Sequence, residues 1–461
     1  MTGLSDKIAQ HLVAARFEQL PPEAVLGAKR ALLDALGVSL AASSLGEGCS
    51  AFLDLAASDG GAPLSTILGR TQKVPPQQAA FANGALAHAM DFEDTHDASA
   101  THPNSANVPA ALAIGEARNA SGKELLLALA LGCDFVCRLG LGLEDDPSER
   151  GWYTPAILSA YGAAIASASL LHLDHRGMLD TLSLTLCQAT CSAEIKRSPQ
   201  SLIRSIREAF SAQAGVQAAL LAQKGITGFD LPLEGKAGFY GLYGNGRFDE
   251  TTLTQDLGTR FEGAFLSFKP WPNCRGTHVY IDILLRLMRE YHVTADQIDT
   301  IEIDVNSLNL MLCTPEQQKQ NPLTLIDAKF SLPFTLAFTA LYGEPSLDEL
   351  TPDRLKDPAI LSLATHIKHR VKSDWPYQQA TRGRLTLQLK DGRSFTLEDQ
   401  IAPGHPDRPL SQTQLEKKFH SCAEKAALPL TSSQSNEVIK IIGDLEHHKT
   451  QDLIRAIRAD H

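Results

Sequence analysis

Apolar residues recur at helical spacing through most of the first 265 positions. PPEAVLGAKRALLDALGVSLAAS (21–43) carries its prolines in the first turn, where a missing amide costs nothing. PPQQAAFANGALAHAM (75–90) and HPNSANVPAALAIGEARN (102–119) predict two more helices, both rich in alanine. SGKELLLALALGCDFVCRLGLGL (121–143) opens on Ser with Glu three residues later, a capping-box signature. PAILSAYGAAIASASLL (155–171) has small residues on most faces and predicts a buried helix. HRGMLDTLSLTLCQAT (175–190) and REAFSAQAGVQAALLAQKG (207–225) continue the pattern, and the high Ala, Gly and Ser share favours a tight bundle.

The pattern changes near 266. FKPWPNCRGTH (268–278) is a proline-framed turn followed by the helix YIDILLRLMREYHV. TIEIDV (300–305) alternates like a strand. TLIDAKFSLPFTLAFTALYG (324–343) is helical, with Pro333 marking a kink or a start. RLTLQLKDGRSFTLE (384–398) is the clearest hairpin, two alternating runs around Asp391-Gly392. Beyond about 405 the helical period returns. The expected fold is therefore mainly α with an inserted α+β domain. A helical domain takes 1–265 and 405–461, and the α+β domain takes 266–404, with a ligand cleft expected between them.

With 43% hydrophobic and 21% charged residues in 461, the chain is of ordinary globular composition. A net charge of −11 argues against a nucleic-acid partner, though local cations can still hold small anions. No window reaches the roughly 18 apolar residues that span a bilayer. The N-terminus lacks a signal-peptide core, so a cytoplasmic protein is expected. Eight cysteines in this length make no disulfide framework. Cys133/Cys137 and Cys187/Cys191 read as small buried residues of helices rather than half of a metal site.

The stretch HAMDFEDTHDASATHPNSANVPAA (88–111) holds the chemistry-bearing residues His88, Asp91, Asp94, His96, Asp97 and His102. Three readings stand open on the residues alone. Imidazoles and carboxylates can ligate a divalent ion, although no named motif matches. They can transfer protons, since neighbouring groups push each other's pKa values apart. Or they cap a solvated loop, as Asp, Thr and Asn before His-Pro commonly do. A second candidate is the turn bearing Lys269, Arg275 and His278, a small-anion site if the helix after it adds its positive end. A third is KRSPQSLIRSIREAF (196–210), where Arg204 and Arg207 share a helical face. EGKAGFYGLYGNG (234–246) matches no phosphate-binding fingerprint and reads as a loop.

NGALAHAMDFEDTHDASATHP (83–103) resembles the signature of the MmgE/PrpD family. GVQAALLAQKGITG (215–228), KPWPNCRGTH (269–278) and DAKFSLPFTLAF (327–338) resemble further family segments in the expected order. The resemblance implies a helical domain with an inserted α+β lid, a homodimer, no metal or organic cofactor, and a small di- or tricarboxylate as substrate. It assigns Asp91, Thr95 and His102 from the first segment and Lys269 and His278 from the lid turn. The shared chemistry is movement of a proton on carbon beside a carboxylate. Such a carboxylate must be neutralised, a role that fits Lys269, Arg275 and Arg204 by charge. Asp91 or His102 fits the base.

Two positions depart from the family pattern. Tyr153 stands where many dehydratase and decarboxylase members carry His. Arg204 and Arg207 stand at positions that carry Lys and His in many members. Arginine stays protonated and cannot shuttle a proton. Loss of the His favours an epimerase of the iminodisuccinate type, with Tyr153 as acid or base, over a hydro-lyase or decarboxylase. A non-catalytic carboxylate binder is the remaining alternative. On this reading residues 88–111 form one wall of a cofactor-independent carboxylate site. His96 and Asp97 are loop.

Overall fold

Small side chains set how closely the helices approach. The computed structural model describes residues 3–198, 200–376, 379 and 381–458. They fall into two units, one within Met1–Ile195, Ser205–Leu266 and Ser411–His461, the other within Lys196–Arg204 and Ser267–Leu410.

The first unit is helical. Its main elements are α1 (Leu4–Ala14), α2 (Pro22–Leu45), α3 (Pro76–Ala89), α4 (Asn104–Arg118), α5 (Gly122–Leu141), α6 (Thr154–Leu170), α7 (His175–Leu186), α8 (Glu208–Gln223) and, from the far end of the chain, α11 (Gln412–Ala423). The capping box at the start of α5 forms, with Ser121 and Glu124 as the reciprocal pair. α6 is buried along nearly all of its length, as its Ala, Ser and Gly content allows. α8 packs on α6, α3 and α7, and α11 packs on α2. Two glycines permit the α8 contacts. A Cβ on Gly215 would sit 2.5 Å from the Ala164 amide nitrogen in α6. A Cβ on Gly84 in α3 would sit 2.7 Å from the Glu208 carbonyl oxygen in α8.

The second unit is α+β. α9 (His278–Glu290) and α10 (Leu332–Tyr342) pack together beside strands β1 (Ile298–Val305), β2 (Ile367–Val371), β3 (Gly383–Leu389) and β4 (Ser394–Asp399). The sheet order is β2-β1-β3-β4. β1 runs parallel to β2, with Ile301 opposite Ile367, and antiparallel to β3, with Ile303 opposite Leu385. The β3–β4 hairpin pairs Gly383 with Asp399 through Gln388 with Ser394, and Gly392 takes φ 90° at its turn. Pro333 lies in the first turn of α10, so it marks a start rather than a kink. Ile301, Ile303, Leu385, Leu387, Ile283, Phe334 and Phe338 share one core.

The helix predicted over 324–343 is split, with a short helix at Leu325–Lys329 before α10. β2 was not anticipated: IKHRV has only Ile367 buried, so no apolar alternation marks it.

Gly84→Ala is expected to lower stability by about 1–3 kcal/mol, because the new methyl meets backbone rather than a movable side chain. Urea unfolding checks it; an unchanged or raised midpoint would mean that α3 and α8 separate at no cost.

Candidate active site

The candidate residues of the first unit gather where α3 ends. Its last turn carries His88, and the chain reverses at Asp91, whose amide donates to the His88 carbonyl at 2.9 Å. Asp91 has φ 48°, in the left-handed region that Asp tolerates through its short polar side chain. All residues from 81 to 96 are buried, which excludes a solvated loop.

Glu93 joins the two histidines. His88 Nδ1 lies 2.6 Å from Glu93 Oε1. His102 Nδ1, just ahead of α4, lies 2.7 Å from the same oxygen, off the line of a straight hydrogen bond. The two rings meet edge to face at 4.8 Å. His88 and Glu93 are fully buried, while the His102 side chain is 14% exposed and is the member of the trio that meets solvent. Burial, with the Arg207 charge adding to it, pushes the His88 pKa down to about 3 against the pull of Glu93. A neutral His88 can donate from Nδ1 to Glu93 Oε1.

Buried polar groups back the turn. Asp94 accepts from Asn104 Nδ2 at 2.9 Å, and Asn107 Nδ2 donates to Asn104 Oδ1 at 3.0 Å. Burial, reinforced by Asp34, pushes the Asp94 pKa up to about 8, so this carboxyl holds its proton at neutral pH. Lys418 of α11 donates to the Phe92 carbonyl at 2.6 Å and pairs with Asp34 of α2, also at 2.6 Å. Thr95 donates to Asp97 at 2.8 Å. His96 is buried rather than loop-exposed, with Nε2 3.4 Å from Glu262 and Nδ1 2.7 Å from Ser99. The hydrogen bond from His96 is the main reason that Glu262 drops to about 2.

Tyr153 precedes α6, and the buried Arg207 guanidinium lies 4.8 Å from its ring centroid. Arg207 Nε is 3.3 Å from Glu208 Oε1, and burial raises the Glu208 pKa.

The remaining candidates belong to the second unit. Lys269 is fully buried. Arg275 donates to the Pro403 carbonyl at 2.6 Å and to Ser267 Oγ at 3.2 Å, so its fork braces its own unit. His278 begins α9, with Nε2 3.0 Å from the Asn273 carbonyl. The Arg204 guanidinium stacks 3.5 Å from the Phe330 ring centroid.

Sequence reasoning passed over Glu93 although it stands in the same stretch. Its spacing of five from His88 is no helical or metal-motif spacing, and Asp91 and Asp94 flank it as equal alternatives. The ligand atoms of His88, Asp91, Glu93 and His102 lie within 4.8 Å of one another, close enough to approach a cation. An exposed trio, Asp444, Glu446 and His447, does the same.

The MmgE/PrpD N-terminal domain matches residues 6–251 and the MmgE/PrpD C-terminal domain matches residues 271–444. The chain belongs to the MmgE/PrpD family. It is 26% identical to the cis-aconitate decarboxylase of Mus musculus over 469 aligned positions, which cover 97% of this chain and 92% of that one. The Homo sapiens cis-aconitate decarboxylase is 26% identical over 392 positions, covering 83% and 80%. The cis-aconitate decarboxylase-like protein oryM of Aspergillus oryzae is 26% identical over 427 positions, covering 88% and 87%. These relatives favour a lyase over the epimerase expected from Tyr153. No helix among the described residues is long and apolar enough to cross a membrane.

The pKa of Asp94 gives a signed prediction. Folding raises it from 3.8 to about 8, so the native state binds the extra proton and stability falls as pH rises across that window. Urea midpoints of Asp94→Asn should fall less between pH 6 and pH 8 than those of the parent. Parallel curves would mean that Asp94 is ionised in the fold. His88 acts in the opposite sense, costing stability as pH falls from 6.5 toward 3.

Proposed function

We propose that the protein is a cofactor-independent lyase that decarboxylates cis-aconitate or a close tricarboxylate analogue. The observation that carries this reading is the Glu93-braced His102, the solvent-reaching imidazole of a buried acid–base cluster. Family membership and the end-to-end similarity to cis-aconitate decarboxylases supply the substrate class.

The chemistry needs little else. Loss of CO2 breaks one carbon–carbon bond and leaves its electron pair on an allylic system that the remaining carboxylates stabilise. The substrate is thus its own electron sink. One proton must then reach carbon, giving a five-carbon unsaturated dicarboxylate and CO2. Imidazole titrates near neutral pH and suits that delivery. The Glu93 carboxyl 2.7 Å from Nδ1 is proposed to orient the ring and leave Nε2 to exchange the proton. Asp91 is proposed to orient the substrate or share the proton, and Thr95 to bind it. Lys269, His278 and Arg204 are proposed as substrate ligands, the two cations for carboxylates, and Arg275 as a brace for the turn that carries Lys269. A homodimer and a cytoplasmic location belong to the same proposal.

Incubation with cis-aconitate in D2O, followed by NMR, tests the reaction. The expected result is CO2 loss with one deuteron delivered to product carbon. Exchange at carbon without CO2 loss would instead indicate the epimerase chemistry that Tyr153 suggests, and absence of both would sink the decarboxylase reading.

His102→Gln and Glu93→Gln should each lower kcat by about a hundredfold or more. Asp91→Ala and Lys269→Ala should each cost at least about tenfold. Near-parental rates in all four would remove the site. Tyr153→Phe should be tolerated by a decarboxylase and should abolish an epimerase that uses the hydroxyl.

A further inference from the structure

We propose that Lys418 is a positioning residue for the acid–base cluster and acts through the Phe92 carbonyl. Phe92 lies between Asp91 and Glu93, so the orientation of its peptide fixes where both carboxylates point. That peptide follows a left-handed residue, Asp91 at φ 48°, and needs an outside tether to stay there. The tether comes from a helix 326 positions away in sequence: Lys418 Nζ donates to the Phe92 oxygen at 2.6 Å and lies 3.9 Å from the Phe92 ring centroid. Asp34 Oδ1, 2.6 Å from the same ammonium, offsets its charge. The side chains of Lys418 and Asp34 are 7% and 0% exposed, so water does not substitute for either. The neighbouring Lys417 is exposed, and the placement is specific to one of two adjacent lysines. Loss of the tether releases the turn, moves Glu93, and lets the His102 ring leave its working orientation. Displacements of about 1 Å at such a site cost on the order of a hundredfold in rate.

The activity arm of the test rests on the decarboxylase reading; a second readout does not. Asp34→Asn is expected to keep the Lys418–Phe92 bond while it removes the ion pair and the Asp34 charge that acts on Asp94. Asp34→Asn/Lys418→Met removes both without stranding a buried charge. kcat and KM for cis-aconitate are measured for both, with the far-downfield proton signals of imidazole N–H groups bound to a carboxylate. Asp34→Asn should stay within about threefold of the parent and keep those signals. The double variant should lose about tenfold to a hundredfold in kcat, with KM within about threefold, and should shift or lose the signals. If the Met variant does not fold, Asp34→Asn/Lys418→Gln gives the same reading, since Gln is too short to reach the carbonyl. A folded double variant with parental signals and rate overturns the proposal. So does an equal loss in Asp34→Asn, which would make the ion pair a fold staple. A parent inactive on cis-aconitate overturns the functional reading alone, and the proton signals then decide this inference.

Discussion

Glu93 places its carboxyl where water does not reach, and a buried polar group needs partners close by. His88 Nδ1 hydrogen-bonds one carboxyl oxygen at 2.6 Å, and His102 Nδ1 comes within 2.7 Å of the same oxygen. The rest of the first unit's site follows from that requirement. Burial keeps His88 neutral, and a neutral ring can still donate from Nδ1. His102 must come close enough to share the oxygen. The turn between them must hold Asp91 in a backbone conformation that few residues adopt. The surrounding helices are built small enough to approach: Gly84 in α3 lies directly against the Glu208 backbone of α8.

The charges around Glu93 are arranged in graded fashion. Arg207 is fixed as a cation and helps hold His88 neutral. Burial holds Asp94, one residue beyond Glu93, in its protonated form, and it accepts a hydrogen bond from Asn104. The Arg207 guanidinium lies 4.8 Å from the Tyr153 ring centroid.

The helices of the first unit were legible because their apolar residues repeat at the helical period and their starts carry Ser, Glu and Pro in the expected places. The β3–β4 hairpin was legible from Asp391-Gly392. β2 was not, because an edge strand with one buried residue has no pattern to read. The stretch 88–102 announced its chemistry by composition, but composition does not separate Glu93 from Asp91 and Asp94. Lys418 was out of reach altogether. Its neighbour Lys417 has the same charge and the same helix, and only the packing of α11 on α2 turns one inward.

The position of Lys418 has a consequence for the order in which the molecule becomes complete. Synthesis runs from the N-terminus, and the earlier part of a chain can begin to fold while the remainder is still on the ribosome. α3, the strained turn and α4 emerge long before α11. Until α11 is made, the lysine that holds the turn's central carbonyl and pairs with Asp34 is missing from the chain. The buried acids of the first unit therefore cannot gain the Lys418 cation before that stage of synthesis. A chain interrupted before residue 411 would stop at that stage.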